Sequence, residues 1–214
     1  MDKTIKTVFY PPFEEKINVV SHGIGIIMSI IASIFLIIKG VENNNAINLF
    51  GYIVYGVSLI LLYSASTIYH NSKTESVRRK LNVFDHASIY VLIAGTYTPY
   101  SLITLNGTTG WIVFGIIWSL AISGVILKLF FIGKYNILST SMYVIMGWLM
   151  IIAVKPMAEN LSKEGLLWLL VGGISYTIGA VLYSIKKIKF NHAIFHVFVL
   201  IGSMCHFISI YFYV

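Results

Sequence analysis

Apolar positions in this chain do not alternate with polar ones; they run in blocks. Six stretches contain no Asp, Glu, Lys or Arg: residues 17–38, 43–72, 86–127, 135–154, 165–185 and 190–214. Five are about as long as one helix crossing a bilayer, which needs ~20 residues. The third is about twice that length, and Asn106-Gly107-Thr108-Thr109-Gly110 near its middle supplies the turn chemistry to fold it in two. The pattern predicts an all-α integral membrane protein. Its seven transmembrane helices cover residues 18–38, 46–69, 85–105, 111–131, 136–154, 165–185 and 191–213 of a single domain. A closed barrel, the other backbone solution in lipid, needs in-and-out alternation, and residues 24–38 and 112–127 are apolar on most faces.

Composition agrees: 57% of the 214 residues are apolar and only 11% charged, which excludes an ordinary soluble domain. The first span reads as retained, because Glu14 and Glu15 spoil the basic region of a secretory signal and no small-residue cleavage pattern follows. Two readings are open for the segment before it. One is an interfacial stretch with Pro11 and Pro12, anchored by Phe9, Tyr10 and Phe13; the other is a disordered tail.

The 15 basic residues set the orientation. Lys3, Lys6, Lys16, Lys73, Arg78, Arg79, Lys80, Lys128, Lys134, Lys186, Lys187 and Lys189 fall on one side of the alternating loops, and only Lys39, Lys155 and Lys163 on the other. The bias predicts a cytoplasmic N-terminus, an extracellular C-terminus and a multi-pass protein of the cell membrane. The net charge of +7 then reflects topology and anionic headgroups, and nucleic acid is not an expected partner. The single cysteine, Cys205, excludes an internal disulfide and reads as a packing residue. Nothing in the pattern restricts the chain to a monomer.

On this topology five of the six histidines gather at the cytoplasmic face. His70 ends the second span with Ser66 one turn deeper; Asp85 and His86 open the third; His192 and His196 open the seventh; His22, with Ser21, Asn18 and Glu15, lies at the start of the first. Imidazoles suit a borderline divalent metal such as zinc, and a His pair at i and i+4 offers two nitrogens to one ion. His70 from a neighbouring helix makes three, leaving a fourth position for water activated by the metal. Asp85 is placed to hold and deprotonate that water. Ser66 is placed to bond the water, the developing oxyanion or the His70 ring.

Plainer readings stand beside these. Asp85 suits an N-cap of the third span, and His86 points about 100° away from it, as a supporting or structural residue. His22 reads as a hydrogen-bond partner rather than a ligand, and Ser21, Asn18 and Glu15 as caps or ties of the first helix. His206, ~21 Å along the helix from His192, is too far to share a metal. Retinal binding lacks a lysine in the seventh span, and an ion transporter would show ionisable groups near the midplane, where His206 is the lone candidate.

The order of four elements is specific: Glu15-x-x-Asn18-x-x-Ser21-His22; Ser66-x-x-x-His70; Phe84-Asp85-His86-Ala87-Ser88-Ile89-Tyr90, continuing to Ala94-Gly95-Thr96-Tyr97-Thr98-Pro99; and His192-x-x-x-His196. From about residue 14 to its end the chain resembles the bacterial haemolysin III family, which is grouped with the progestin and adiponectin receptors in a superfamily that includes alkaline ceramidases. The resemblance implies a seven-helix bundle with zinc on His70, His192 and His196, a water held by Asp85, and Ser66 as the motif serine. It also implies ceramidase-like hydrolysis of a lipid amide or ester, with membrane lipids as substrate or ligand. Two other expectations remain: a cytolytic, pore-forming haemolysin, and a regulator or sensor of membrane lipid state.

Overall fold

The computed structural model describes residues 8–130 and 136–214, and every element among them is helical. Helix α1 is Pro12–Glu42, α2 Ala46–Asn71, α3 Glu75–Pro99, α4 Gly107–Phe130, α5 Asn136–Trp148, α6 Val154–Asn160, α7 Lys163–Ser184 and α8 Asn191–Tyr213. A π-helical segment, Tyr100–Leu105, extends α3, and a 3-10 segment, Leu149–Ala153, joins α5 to α6. Lys3, Lys6, Lys134 and the expected end of the fourth span at residue 131 lie outside the described residues.

Local chemistry sets the boundaries. Pro12 occupies the first turn of α1, where its missing N–H costs nothing. Asn45 caps α2 by accepting from the amides of Ile47 and Asn48, and Ser162 caps α7 through the Gly165 amide. Pro99 has no N–H to give and its ring crowds the carbonyl one turn back, so the ladder beyond it widens into the π segment. The expected turn at Asn106-Gly107 is present, with left-handed φ values of 40° and 49°.

Six segments are long and apolar enough to cross a membrane: α1, α2, α4, Ser141–Asn160, α7 and α8. Their outer surfaces carry large exposed apolar side chains such as Ile27, Ile34, Val57, Ile122 and Ile152, as lipid-facing surfaces do. Inside, α1 pairs with α2 and α7 with α8. Helix α3 packs between α2 and α4, and α1 lies against α8. Small residues allow close approach: a Cβ on Gly25 would overlap the Tyr63 ring, and one on Gly172 the His206 ring.

Three expectations are corrected. The third helix begins at Glu75, ten residues before the expected start, because charges end a hydrophobic run without ending a helix. Asp85 therefore lies in the helix interior, and its reading as an N-cap falls. Residues 8–11 are neither headgroup anchors throughout nor a loose tail, since Phe9 and Tyr10 pack on Arg78 and His192.

Candidate metal centre

Helices α1, α2 and α8 converge at the end of the bundle where α1 begins, and each contributes from its first or last turns. His70 is the penultimate residue of α2, His192 and His196 lie one turn apart near the start of α8, and all three are buried. Their Nε2 atoms meet: His192 Nε2 is 3.0 Å from His70 Nε2 and 3.0 Å from His196 Nε2. One donor atom from each of the three lies within 4.8 Å of the others, and no further His, Cys, Asp or Glu among the described residues joins this set.

Proton bookkeeping shows whether such a set fits a cation. A neutral imidazole has one N–H and one lone pair, and the partner of one nitrogen fixes the state of the other. His70 Nδ1 lies 2.7 Å from Glu15 Oε2, so Nδ1 carries the proton and donates, leaving a lone pair on Nε2. Ser21 Oγ gives its proton to the Asn18 carbonyl at 3.1 Å and lies 3.4 Å from His196 Nδ1, so it accepts from that nitrogen, which again leaves the lone pair on Nε2. Both lone pairs face His192 Nε2, and its single N–H can serve only one of them. A cation among the three nitrogens removes the conflict. Three nitrogens at ~2.0–2.1 Å from a tetrahedral ion stand roughly 3.3 Å apart, close to the two 3.0 Å separations about His192. The residues fit a zinc-like ion.

Residues around the three rings hold them in place. Asn18 Nδ2 lies 3.4 Å from His70 Nδ1, which already donates to Glu15, so this is a packing contact and not a hydrogen bond, and Ser21 Oγ donates to the Asn18 carbonyl at 3.1 Å. His22 stacks on His196, with centroids 3.6 Å apart and planes 8° apart. Its expected role as a hydrogen-bond partner is not what the structure shows, since both its ring nitrogens are buried without a partner among the described residues. Ser66 is buried one turn below His70 on α2. Asp85 stands on α3 outside the trio, with its side chain 15% exposed and Oδ2 3.9 Å from His86 Nδ1. His86 donates from Nδ1 to the Asn82 carbonyl at 2.7 Å and is not brought to the trio.

Three contributors escape a reading of the sequence. Arg78, expected as a loop cation, is 1% exposed and bonds to Glu15 Oε1 and to four backbone carbonyls. Tyr10 stacks on His192, with centroids 4.6 Å apart and planes at 20°. Burial holds its phenol well above the usual range, so it stays neutral. Glu14, one residue before the Glu15 that holds His70, is buried, and its Oε1 has no hydrogen-bond partner among the described residues. None carries a motif: a glutamate pair, a tyrosine before two prolines and one arginine of three basic residues look like ordinary interface chemistry.

Comparison with known proteins places the arrangement in a lineage. The family model described as Haemolysin-III related matches residues 11–207. Hemolysin-3 of Bacillus cereus is 49% identical over 201 residues, covering 94% of this chain and 92% of that protein. The Hemolysin-3 homolog of Bacillus subtilis (strain 168) is 46% identical over 200 residues, covering 94% of each. Monocyte to macrophage differentiation factor of Homo sapiens is 30% identical over 166 residues, covering 75% of this chain and 68% of that protein. The helical membrane bundle and these matches agree with the four sequence elements, and the chain belongs to the haemolysin III family as a multi-pass protein of the cell membrane.

Proposed function

We propose that this chain is a seven-span protein with a cytoplasmic N-terminus that holds one zinc ion on His70, His192 and His196 and hydrolyses an amide or ester of a membrane lipid. The observation that carries the reading is the meeting of three Nε2 atoms, with that of His192 3.0 Å from each of the other two, whose lone pairs are fixed by partners behind them. Helix α3 with its π extension supplies the seventh crossing, and the twelve basic residues on one side of the alternating loops support the orientation.

When bound, zinc would supply Lewis acidity and lower the pKa of a water toward ~7. The chain's own residues do the rest. Glu15 keeps His70 in the tautomer whose Nε2 faces the site, and Asn18 and Ser21 do the same for His196. Asp85, on a separate helix and outside the ligand set, accepts the proton of the attacking water. It returns that proton to the leaving amine or alkoxide as the carbonyl carbon gains oxygen and loses nitrogen or oxygen. Ser66 hydrogen-bonds the oxygen on which charge develops. Lipid tails reach the site from the bilayer, toward which the spans turn many large apolar side chains.

The test is metal content by elemental mass spectrometry of detergent-purified protein, with turnover of a fluorescent lipid amide measured alongside. About one zinc per chain is expected in the parent, lost in His196→Ala and kept in Asp85→Asn, with turnover in Asp85→Asn lower by about 10²–10⁴-fold. Folded parent protein without stoichiometric metal overturns the reading.

The name of the Bacillus cereus relative favours a second reading, cytolysis. A self-inserting cytolysin needs a water-soluble form, and the apolar outer surface of these helices gives it no obvious one. Leakage of dye from liposomes on adding purified protein would support it, and its absence would set it aside.

A further inference from the structure

We infer that Arg78 is a positioning residue for the metal centre, setting two of the three ligands at once: His70 through Glu15, and His192 through the segment that carries Tyr10. The inference rests on the metal reading of the three histidines and adds a residue outside their motifs.

A guanidinium offers five N–H donors in a rigid plane, and a buried one is costly unless each donor finds an acceptor. Arg78 is buried because all of its nitrogens do. Nη2 bonds to Glu15 Oε1. Nη1 donates to the carbonyls of Tyr69, His70 and Ser72 at 3.2, 3.2 and 3.1 Å, and so grips the last turn of α2. Nε donates to the Val8 carbonyl at 3.0 Å. The flat faces are used too, with the Phe9 and Tyr69 ring centroids each 4.5 Å from Cζ.

Two chains of contact run from this side chain to the ligands. In the first, Arg78 holds one oxygen of Glu15 while the other accepts from His70 Nδ1 at 2.7 Å. A carboxylate behind a ligating imidazole fixes its ring and tautomer, and loss of such a partner typically costs 10–100-fold in metal affinity. In the second, the bond to the Val8 carbonyl and the stacking on the Phe9 ring hold residues 8–10 against the bundle, and the Tyr10 amide donates to Glu15 Oε1 at 3.0 Å. The Tyr10 ring then lies flat on His192, whose Nδ1 has no hydrogen-bond partner among the described residues. His192 is thus the one ligand positioned by stacking rather than by a bond to its far nitrogen. Both chains pass through Arg78, and neither contains a ligand atom of its own.

The experiment measures zinc affinity and the rate of zinc loss to a chelator in full-length protein, and the absorption spectrum of the cobalt-substituted form. Variants are Arg78→Gln, Arg78→Lys, Glu15→Gln, Arg78→Gln with Glu15→Gln, and Tyr10→Ala. Arg78→Gln and Glu15→Gln each bind zinc about 10–100-fold more weakly, and the double variant is no worse than the weaker single, because the two act along one path. Arg78→Lys does not restore affinity, since a single ammonium cannot grip Glu15, α2 and Val8 together. Tyr10→Ala releases zinc faster and shifts the cobalt spectrum. Should Arg78→Gln fail to give a monodisperse helical protein, Glu15→Gln and Tyr10→Ala decide the matter. Parent-like affinity, release and spectrum in folded variants, or weakening that simply adds in the double variant, overturns the inference. Parent protein that binds no metal instead sinks the metal reading itself.

Discussion

The two halves of α8 carry similar numbers of buried polar residues and use them in opposite ways. In the second half each side chain meets a complementary partner, with His206 Nδ1 left without one among the described residues. Ser203 Oγ lies 2.7 Å from both Tyr63 Oη and Tyr176 Oη, His206 Nε2 donates to the Leu169 carbonyl at 3.1 Å, and Ser209 Oγ donates to the Gly165 carbonyl at 2.8 Å. In the first half, His192 and His196 turn nitrogen toward nitrogen, together with His70. Where no water reaches, polar side chains that complete one another join helices, whereas acceptors aimed at each other describe the coordination shell of something positive. Burial and residue type alone would not separate the two, since His196 and His206 are both buried histidines on one helix.

Removing one histidine from each half gives the largest contrast. His192→Ala is expected to reduce bound zinc from about one per chain to near none, an effect beyond the ~10–100-fold that a supporting residue commands. His206→Ala is expected to leave zinc untouched and to lower only thermal stability, through the bond to Leu169 and the packing against Gly172. Elemental analysis of the two variants purified side by side reads this directly. Equal metal loss from both would mean that the histidine end and the rest of α8 are not separate devices.

The hydroxyl cluster tests the other half. Ser203→Ala strips two buried phenols of a partner at once, which is expected to destabilise the protein by about 1–3 kcal/mol. Tyr63→Phe removes one donor while Ser203 keeps Tyr176, so its cost is smaller. Unfolding by denaturing detergent, followed by helical circular dichroism, measures both. A Ser203→Ala midpoint equal to that of the parent would show that the cluster is not glue.

Much of this architecture is legible in the chain because lipid leaves few choices. Six apolar segments announce themselves by length, and the Asn106-Gly107 turn by the two residues that tolerate a left-handed backbone. Helix α3 was harder to bound, since its first turns carry Glu75, Arg78, Arg79, Lys80 and Asp85 beyond the apolar run, and a helix continues through charges that hydropathy treats as a stop. The histidines are visible by their one-turn spacing and common depth. Their supports are not, because Arg78 on α3, Tyr10 before α1 and Glu14 on α1 act across elements, and only the packing of α1 and α3 against α2 and of α1 against α8 brings them there. The stacking of His22 on His196 is likewise a matter of ring orientation, on which spacing is silent.

The smallest expected effect asks how independent the two ends are. Lys39, near the end of α1, donates from Nζ to the carbonyls of Tyr211 at 2.6 Å and Ile210 at 3.3 Å, and lies over the rings of Tyr52 and Tyr211. It thus serves the Tyr211 carbonyl in the last turn of α8, shares the Ile210 carbonyl with the Val214 amide, and places a positive charge at the negative end of the helix dipole. Lys39→Met keeps the stem length and removes these bonds, at an expected cost of about 1 kcal/mol. Hydrogen exchange should quicken in the last turn of α8 and not around His192. Because the histidine trio sits several turns away and shares no partner with Lys39, its loss in a His196→Ala background should add to the cost of the histidine substitution. A Lys39→Met protein that also released its zinc would show instead that α8 transmits strain along its length, making it a lever between the two ends rather than a rod with two independent attachments.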